Sequence, residues 1–228
     1  MADLATRAEE VQRIARNALA DDDAEDLQNT GDGPAITTLR KYRHVVLEMG
    51  YVRAVDNYLM YLSDLLALLY AERPETLRAM PRDARRGTSG ESVPIEAIFE
   101  HSTMEDLVDT LVERRVTDLS FKGLGALSDY LSGRLGFSLY EGEDNYGRAT
   151  RIVETRNVIV HNRGAVTRLY VARVGETNRA VGEVIELSAD EFFGDLNFLT
   201  RSAFDIDARA VAKWGLPTDS AGDFDFES

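Results

Sequence analysis

The sequence predicts a mainly α-helical bundle with one small β-hairpin before its last helix. Three observations predict this fold. Apolar side chains recur at the three- and four-residue spacing of amphipathic helices over most of the chain. Two Ser-x-x-Glu patterns, Ser102 to Glu105 and Ser188 to Glu191, have the form of capping boxes that open helices. No internal repeat is visible, so a solenoid is not expected.

The first half of the chain predicts a short helix, an acidic loop and a long core helix. Apolar residues at helical spacing indicate the short helix over 2–20, and the composition of 21–35 is typical of a loop. The stretch 36–72 is rich in Leu and Tyr, which favours a central core helix. We expect the helix to break at Pro74, before a basic loop that follows Pro81.

Three more helices are predicted in the middle of the chain. The first covers 103–116, and the second covers 119–135 although three interior glycines weaken it. The third covers 145–162, and Gly164 stands where a helix commonly ends. This third helix carries the residues of greatest functional interest.

The remaining elements are a predicted hairpin and a final helix. The stretches 166–174 and 182–187 are rich in β-branched residues and are separated by polar residues, which predicts two short strands. The final helix is predicted over 188–213, after which Trp214 and Leu216 should fold back on the core. We therefore divide the chain into an N-terminal helix with an acidic linker, a helical domain and a disordered acidic tail: 1–35, 36–216 and 217–228.

Composition excludes several classes of protein. Of the 228 residues, 44% are hydrophobic and 29% charged, an ordinary globular balance. There is no cysteine, so disulfides and thiolate metal sites are excluded, and the three histidines lack the short spacing of zinc ligands. No run approaches the ~18 apolar residues of a membrane span. We expect a cytoplasmic protein without a metal, a cofactor or a membrane partner.

Charge is distributed unevenly along this acidic chain. The net charge of −14 argues against general affinity for nucleic acid, because Lys and Arg dominate phosphate binding. The window 145–173 has the opposite sign, with Glu154 as its one acidic residue. It contains six arginines: Arg148, Arg151, Arg156, Arg163, Arg168 and Arg173.

Arg156 lies at the centre of an apolar helix face. At about 100° per residue, Ile152 and Ile159 fall about 40° and 60° to one side of it, and Val160 falls about 40° to the other. An unpaired buried guanidinium costs several kcal/mol, so a partner is required. Two explanations remain open: a salt bridge to a neighbouring helix, or a site that uses a fixed cation beside His161.

The motif around Arg156 resembles that of a known family. Arg156-Asn157-Val-Ile-Val-His161, followed by Asn162-Arg163-Gly164, is similar to the R-x4–6-H signature of HEPN domains, where a polar residue, often Asn, follows the Arg. The resemblance covers roughly residues 36 to 213. It implies a HEPN-like helical bundle, in agreement with the helical pattern of the chain.

The resemblance also implies an activity. Active HEPN proteins are RNA endonucleases that need no metal, and two protomers bring their motifs together in one cleft. By this analogy His161 would transfer protons, Arg156 would stabilise charge on the phosphate, and Asn157 would orient the imidazole or bind phosphate. Cleavage would leave a 2′,3′-cyclic phosphate. The implied partners are RNA, a second copy of the chain, and a protein of an antitoxin or phage-defence system.

The basic flank of the motif is a candidate RNA-binding surface, and it consists of Arg148, Arg151, Asn162, Arg163 and Arg168. Two alternatives to an active nuclease stay open. One is a catalytically inactive HEPN-like module that binds RNA or a protein. The other is a helical interaction protein in which Arg156 only joins two helices.

Overall fold

The computed structural model describes residues 13–16, 19, 38, 41–73, 76, 103–175 and 177–217. This part of the chain is mainly helical, which confirms the predicted fold class. Its named helices are α1 (Arg43–Glu72), α2 (Met104–Lys122), α3 (Leu124–Leu135), α4 (Glu143–Asn162), α5 (Arg168–Val174) and α6 (Ala189–Trp214). Among these residues, no helix has the length and apolarity required to cross a membrane.

The predicted boundary between the second and third helices was wrong. Helix α2 continues to Lys122, and the break falls at Gly123, whose φ of 87° only glycine adopts readily. The observed cap of α2 is Thr103, whose hydroxyl accepts a hydrogen bond from the Asp106 amide at 3.1 Å. Ser102, the cap predicted from sequence, lies outside the described residues.

The predicted hairpin was wrong in its first strand, because Arg168–Val174 forms helix α5. Thr167 caps this helix by accepting from the Tyr170 amide at 3.1 Å, and Gly175 ends it. Antiparallel pairing between the two stretches is limited to a single bridge, Ala165 to Val184. The valines that suggested a strand are spaced 166, 171 and 174, a pattern that a short capped helix satisfies as well.

Several predictions concern segments that are outside the described residues. These segments are the acidic linker 21–35, the basic loop 82–92 and the tail 218–228. Of the N-terminal helix predicted over 2–20, only 13–16 and 19 are described, and these residues are helical.

The chain forms two compact units. Among the described residues, the first unit takes those up to Asp56 and those of 151–201, and the second takes those of 57–150 and 202–217. The predicted domain 36–216 thus contains most of the described residues of both units. Three helices, α1, α4 and α6, contribute residues to each of them.

Two buried apolar clusters are described in the first unit. One packs Leu19 and Leu47 against Ala189 and Phe193, near the start of α6. The other joins Val158 of α4 to Tyr170 of α5 and to two residues of the connecting segments, Val166 and Ile185. Ser188 caps α6 by accepting from the Glu191 amide at 3.1 Å, as the capping-box pattern predicts.

The second unit is held by tyrosines and by cations of α6. The Tyr58 and Tyr140 hydroxyls are 2.7 Å apart, and burial raises the pKa of Tyr58 to about 12. Arg209 donates to the Ser138 and Leu139 carbonyls at 2.6 and 2.7 Å. The Trp214 ring lies 4.7 Å from that of Phe137, and Leu216 is buried, so both residues return to the core as predicted.

Gly164 should be far less tolerant of substitution than Gly133. Gly164 has a φ of 79°, and an added Cβ would meet the Val184 side chain at 3.3 Å, whereas Gly133 lies inside α3 facing open space. We expect Gly164→Ala to lower the free energy of unfolding by about 1–2 kcal/mol. Gly133→Ala, the control, should raise it by about 0.5–1 kcal/mol. Urea unfolding followed by circular dichroism measures both, and equal effects would contradict the positive φ of Gly164.

Candidate functional site

Helix α4 carries the candidate site, and its predicted apolar face is only partly buried: Val160, predicted on that face, is 44% exposed, and Val158 on the opposite side of the helix is buried. In the first unit Ile152, Val153 and Val158 of this helix are buried. Glu154 and Thr155 are also buried, and Glu154 is paired with Arg173 of α5 at 2.8 Å. The face that carries the motif is therefore fixed within this unit by apolar packing and by ion pairs.

Arg156 forms an ion pair with a carboxylate of another helix. Its Nη2 lies 2.6 Å from Oδ1 of Asp56 on α1, and the two side chains are 22% and 31% exposed. Its Nη1 donates to the Asn157 side-chain oxygen at 3.1 Å. The Nε is buried without a hydrogen-bond partner. A salt bridge to a neighbouring helix was one of the two explanations that the sequence left open, and it is present. Both side chains of the pair are nevertheless partly exposed to solvent.

The guanidinium keeps donors for a further ligand. Arginine has five N–H donors in a planar fork, and only one of them is used in a hydrogen bond to Asn157, while Asp56 lies beside Nη2. The side chain is 22% exposed, and an anion that reached its terminal nitrogens would meet a cation whose position two neighbours already restrict.

His161 is exposed in the last turn of α4. Because α4 is helical through Asn162, His161 points about 140° away from Arg156 around the helix axis. Within the described part of the chain, no hydrogen bond or ion pair joins these two residues. The structure brings Arg156 to Asn157 and Asp56, and it leaves the imidazole accessible at the end of the helix.

Arg151, predicted as a contact for RNA, is engaged inside the first unit. Its Nη2 lies 2.7 Å from Asp195 and its Nη1 lies 3.1 Å from Glu191, both on α6. The Asp195 side chain is only 3% exposed and also accepts from the Tyr51 hydroxyl at 3.0 Å. Both terminal nitrogens of Arg151 are therefore committed to carboxylates, and we reassign this residue to helix packing.

Burial and charge shift two pKa values in this network. Burial raises the pKa of the Tyr51 phenol far above its ordinary value, and the neighbouring Asp195 carboxylate adds to that effect. For Arg151 burial alone lowers the pKa, but Asp195 and Glu191 more than offset it, so the pKa is raised. Tyr51 thus stays neutral and Arg151 stays charged throughout the physiological range of pH.

The other predicted RNA contacts are exposed. Arg148 lies near the start of α4, and Arg168 is the first residue of α5. Asn162 and Arg163 directly follow His161, and both are exposed. Arg163 has a φ of 54°, and it is the one non-glycine residue with positive φ in the described part of the chain. His161, Asn162 and Arg163 therefore form a short polar and basic segment open to solvent.

Asp56 is the functional candidate that the sequence did not single out. Helix α1 has four acidic residues, Glu48, Asp56, Asp64 and Glu72, and their spacing does not indicate which one meets Arg156. The apolar setting of Arg156 indicated only that some anion was required. Identifying Asp56 takes the three-dimensional packing of α1 against α4.

Comparisons with family models, with curated proteins and with solved structures find no match to this chain.

Replacing Arg151 should destabilise the protein much more than replacing an exposed arginine. In Arg151→Ala the Asp195 carboxylate would stay buried without its cation, which costs about 3–5 kcal/mol. Arg168→Ala, the control, should change the free energy of unfolding by less than about 0.5 kcal/mol. Urea unfolding measures both, and a stable Arg151→Ala protein would show that the ion pair does not support the fold.

Proposed function

We propose that this chain is a metal-independent RNA endonuclease of the HEPN type that acts as a dimer. Arg156 and His161 of two copies would together line one cleft, with Asn157 beside each arginine. The observation that carries the proposal is how firmly each of the two motif residues is held and how exposed it is to solvent. The Arg156 cation is held by Asp56 and Asn157 yet is partly exposed, and the His161 imidazole is open to solvent on the same helix.

The chemistry needs these two groups and a ribose 2′-hydroxyl. One His161 takes the proton from the 2′-hydroxyl, whose oxygen attacks the adjacent phosphorus, and a protonated imidazole gives a proton to the leaving 5′-oxygen. Arg156 stabilises the extra negative charge on the phosphate oxygens in the transition state. The products are a 2′,3′-cyclic phosphate and a 5′-hydroxyl. The 140° divergence of Arg156 and His161 on one helix is the reason that two copies are needed.

The exposed basic residues supply a path for the RNA backbone. Arg148, Asn162, Arg163 and Arg168 are exposed and are the residues we assign to it. They lie in a locally cationic part of an acidic protein, so nucleic acid is attracted to this region and repelled elsewhere. We further propose that the enzyme acts in the cytoplasm, and the HEPN resemblance suggests a toxin or phage-defence system in which an antitoxin or another partner protein restrains it.

The second candidate is a catalytically inactive helical module that binds RNA or a protein. The Arg156–Asp56 ion pair at 2.6 Å favours it, because a neighbouring carboxylate offsets the positive charge that a phosphate would meet. In this alternative Arg156 joins α1 to α4 and has no chemical role.

RNA cleavage in the presence of EDTA tests the two candidates. We expect the purified full chain to cut RNA and to leave DNA and 2′-O-methyl RNA of the same sequence intact, since the 2′-hydroxyl is the nucleophile. His161→Ala should lower the cleavage rate by about 10²–10⁴-fold. Arg156→Ala should lower it by about 10²–10³-fold. Denaturing gels give the rates, and analysis of the 3′ ends detects the cyclic phosphate.

His44→Ala is the matched control, because His44 is an exposed histidine on α1. It should cleave RNA at the wild-type rate. Cleavage that EDTA abolishes, or that persists in both the Arg156 and the His161 variants, would contradict the assigned chemistry. Intact RNA with every protein, wild type included, would favour the binding module.

Asp56 should act as a positioning residue for Arg156. In Asp56→Asn the guanidinium loses the anion that fixes it, and we expect kcat to fall about tenfold to a hundredfold. KM should stay equal or fall, since a negative charge near the phosphate has been removed. Asp64→Asn, an exposed acid on the same helix, is the control. An unchanged kcat, with the fold verified by circular dichroism, would show that Asp56 is only a packing partner.

A further inference from the structure

Helix α4 is followed by a different type of residue from four of the other described helices. Helices α2, α3, α5 and α6 are each followed directly by a glycine with positive φ, and these glycines are Gly123, Gly136, Gly175 and Gly215. Helix α4 is followed by Arg163, which has a φ of 54°. In this left-handed region the Cβ of any other residue is crowded by the backbone, so an arginine there lowers stability relative to glycine.

Helix α3 shows that the turn after α4 does not require an arginine. After Gly136, which has a φ of 59°, the amide of the next residue donates to the Leu131 carbonyl at 3.0 Å. After Arg163, the amide of the next residue donates to the Val158 carbonyl at 3.1 Å. In both cases the acceptor lies six residues before the donor. The two helices therefore end in the same hydrogen-bonded turn, with glycine in one and arginine in the other.

The backbone next to Arg163 is held in place by the residue that follows it. Gly164 is buried, and its carbonyl accepts from the Ile185 amide at 2.9 Å. An added Cβ at Gly164 would meet the Val184 side chain at 3.3 Å. The Arg163 side chain itself is exposed, and none of the described residues forms a hydrogen bond or an ion pair with it. An exposed guanidinium thus extends from a fixed backbone, two residues after His161.

We propose that Arg163 binds the RNA phosphate next to the one that is cut. The inference rests on the proposed function, because it takes His161 to act at the scissile phosphate, and only one residue separates the two side chains. A guanidinium is a planar fork of donors that binds a phosphate through two parallel hydrogen bonds. Of the basic residues assigned to the RNA path, Arg163 alone has a backbone cost that such a contact would offset.

A different explanation is that Arg163 supports α4 itself. A cation next to the last carbonyls of a helix is favourable. If this were the role of Arg163, its replacement by glycine would lower stability. Relief of a crowded left-handed side chain would instead raise stability. The sign of the change therefore separates the two explanations.

Thermal unfolding of the full chain, followed by circular dichroism, gives this sign. We expect Arg163→Gly to raise Tm by about 2–4 °C, since glycine adopts a positive φ without crowding. Gly136→Ala is the matched control in the same turn of α3, and it should lower Tm by a similar amount. An unchanged or lower Tm of Arg163→Gly overturns the inference, because the arginine would then have no backbone cost to offset.

RNA binding tests what the side chain contacts. The probe is a fluorescent 2′-O-methyl RNA, which the proposed chemistry cannot cut, and anisotropy gives its affinity at several salt concentrations. Arg163→Gly should weaken binding about tenfold. The slope of log affinity against log salt should fall by about 0.7 for each phosphate contact removed. Arg163→Lys keeps the charge and should keep the slope, and Arg114→Ala, which removes an exposed arginine of α2, should bind as the wild type does.

The outcomes separate this inference from the proposed cleavage. Weaker binding and a smaller slope in Arg163→Gly support the phosphate contact even if the chain never cuts RNA. Equal affinity or an equal slope in the wild type and Arg163→Gly overturns the contact even if the wild type cuts RNA. An equal loss of affinity in Arg114→Ala also overturns it, because any lost positive charge would then have the same effect. A wild type that binds no RNA contradicts both proposals.

Discussion

A guanidinium cannot give up its charge, so an arginine on the inner side of a helix has to meet an anion. Helix α4 has two such arginines, and each pairs with carboxylates of a different helix. Glu191 and Asp195 of α6 pair with Arg151, and Asp56 of α1 pairs with Arg156. Together with the buried apolar side chains of α4, the two pairs help to hold the helix in one rotation about its axis.

The two arginines differ in how many carboxylates they pair with, and this difference separates structure from proposed chemistry. Both terminal nitrogens of Arg151 lie beside carboxylates, and one of these, Asp195, is almost fully buried and also bonded to Tyr51. Among the described residues Arg156 pairs with one carboxylate, and its Nε has no hydrogen-bond partner. A site for an anionic substrate needs a cation that is restrained without being saturated. Of the two arginines, only Arg156 meets both conditions.

Periodicity predicted the long helices and the need for a partner at Arg156, but it could not predict tertiary contacts. The cap at Ser188 follows from local spacing and was correct, whereas the apolar face of α4 was correct at Ile152 and Val153 and wrong at the exposed Val160. Asp56 is distant from Arg156 in sequence and is one of four acids on its helix, so no local pattern marks it. The error in 166–174 arose because β-branched residues favoured a strand. The cap at Thr167 and Gly175 after the last turn were the signals for α5.

The break between α2 and α3 at Gly123 could not be predicted either, because the sequence does not determine which glycine adopts a positive φ. Three glycines lie within the predicted stretch 119–135, yet only Gly123 takes a positive φ, and Gly125 and Gly133 remain inside α3. Composition indicated a weakened helix. The exact point at which the chain turns is Gly123, which composition alone did not distinguish from the other two glycines.

The exposure of His161, set against the packing of Arg156, has a consequence for how these two positions would diverge if the proposed activity were lost. A mutation at Arg156 would leave Asp56 without its cation and would weaken the contact between two helices. Selection for a folded chain therefore opposes such a mutation. A mutation at His161 changes an exposed side chain at the end of α4. If the proposed catalysis were no longer under selection, the imidazole would therefore be lost before the arginine and its carboxylate, which the packing of the two helices still requires.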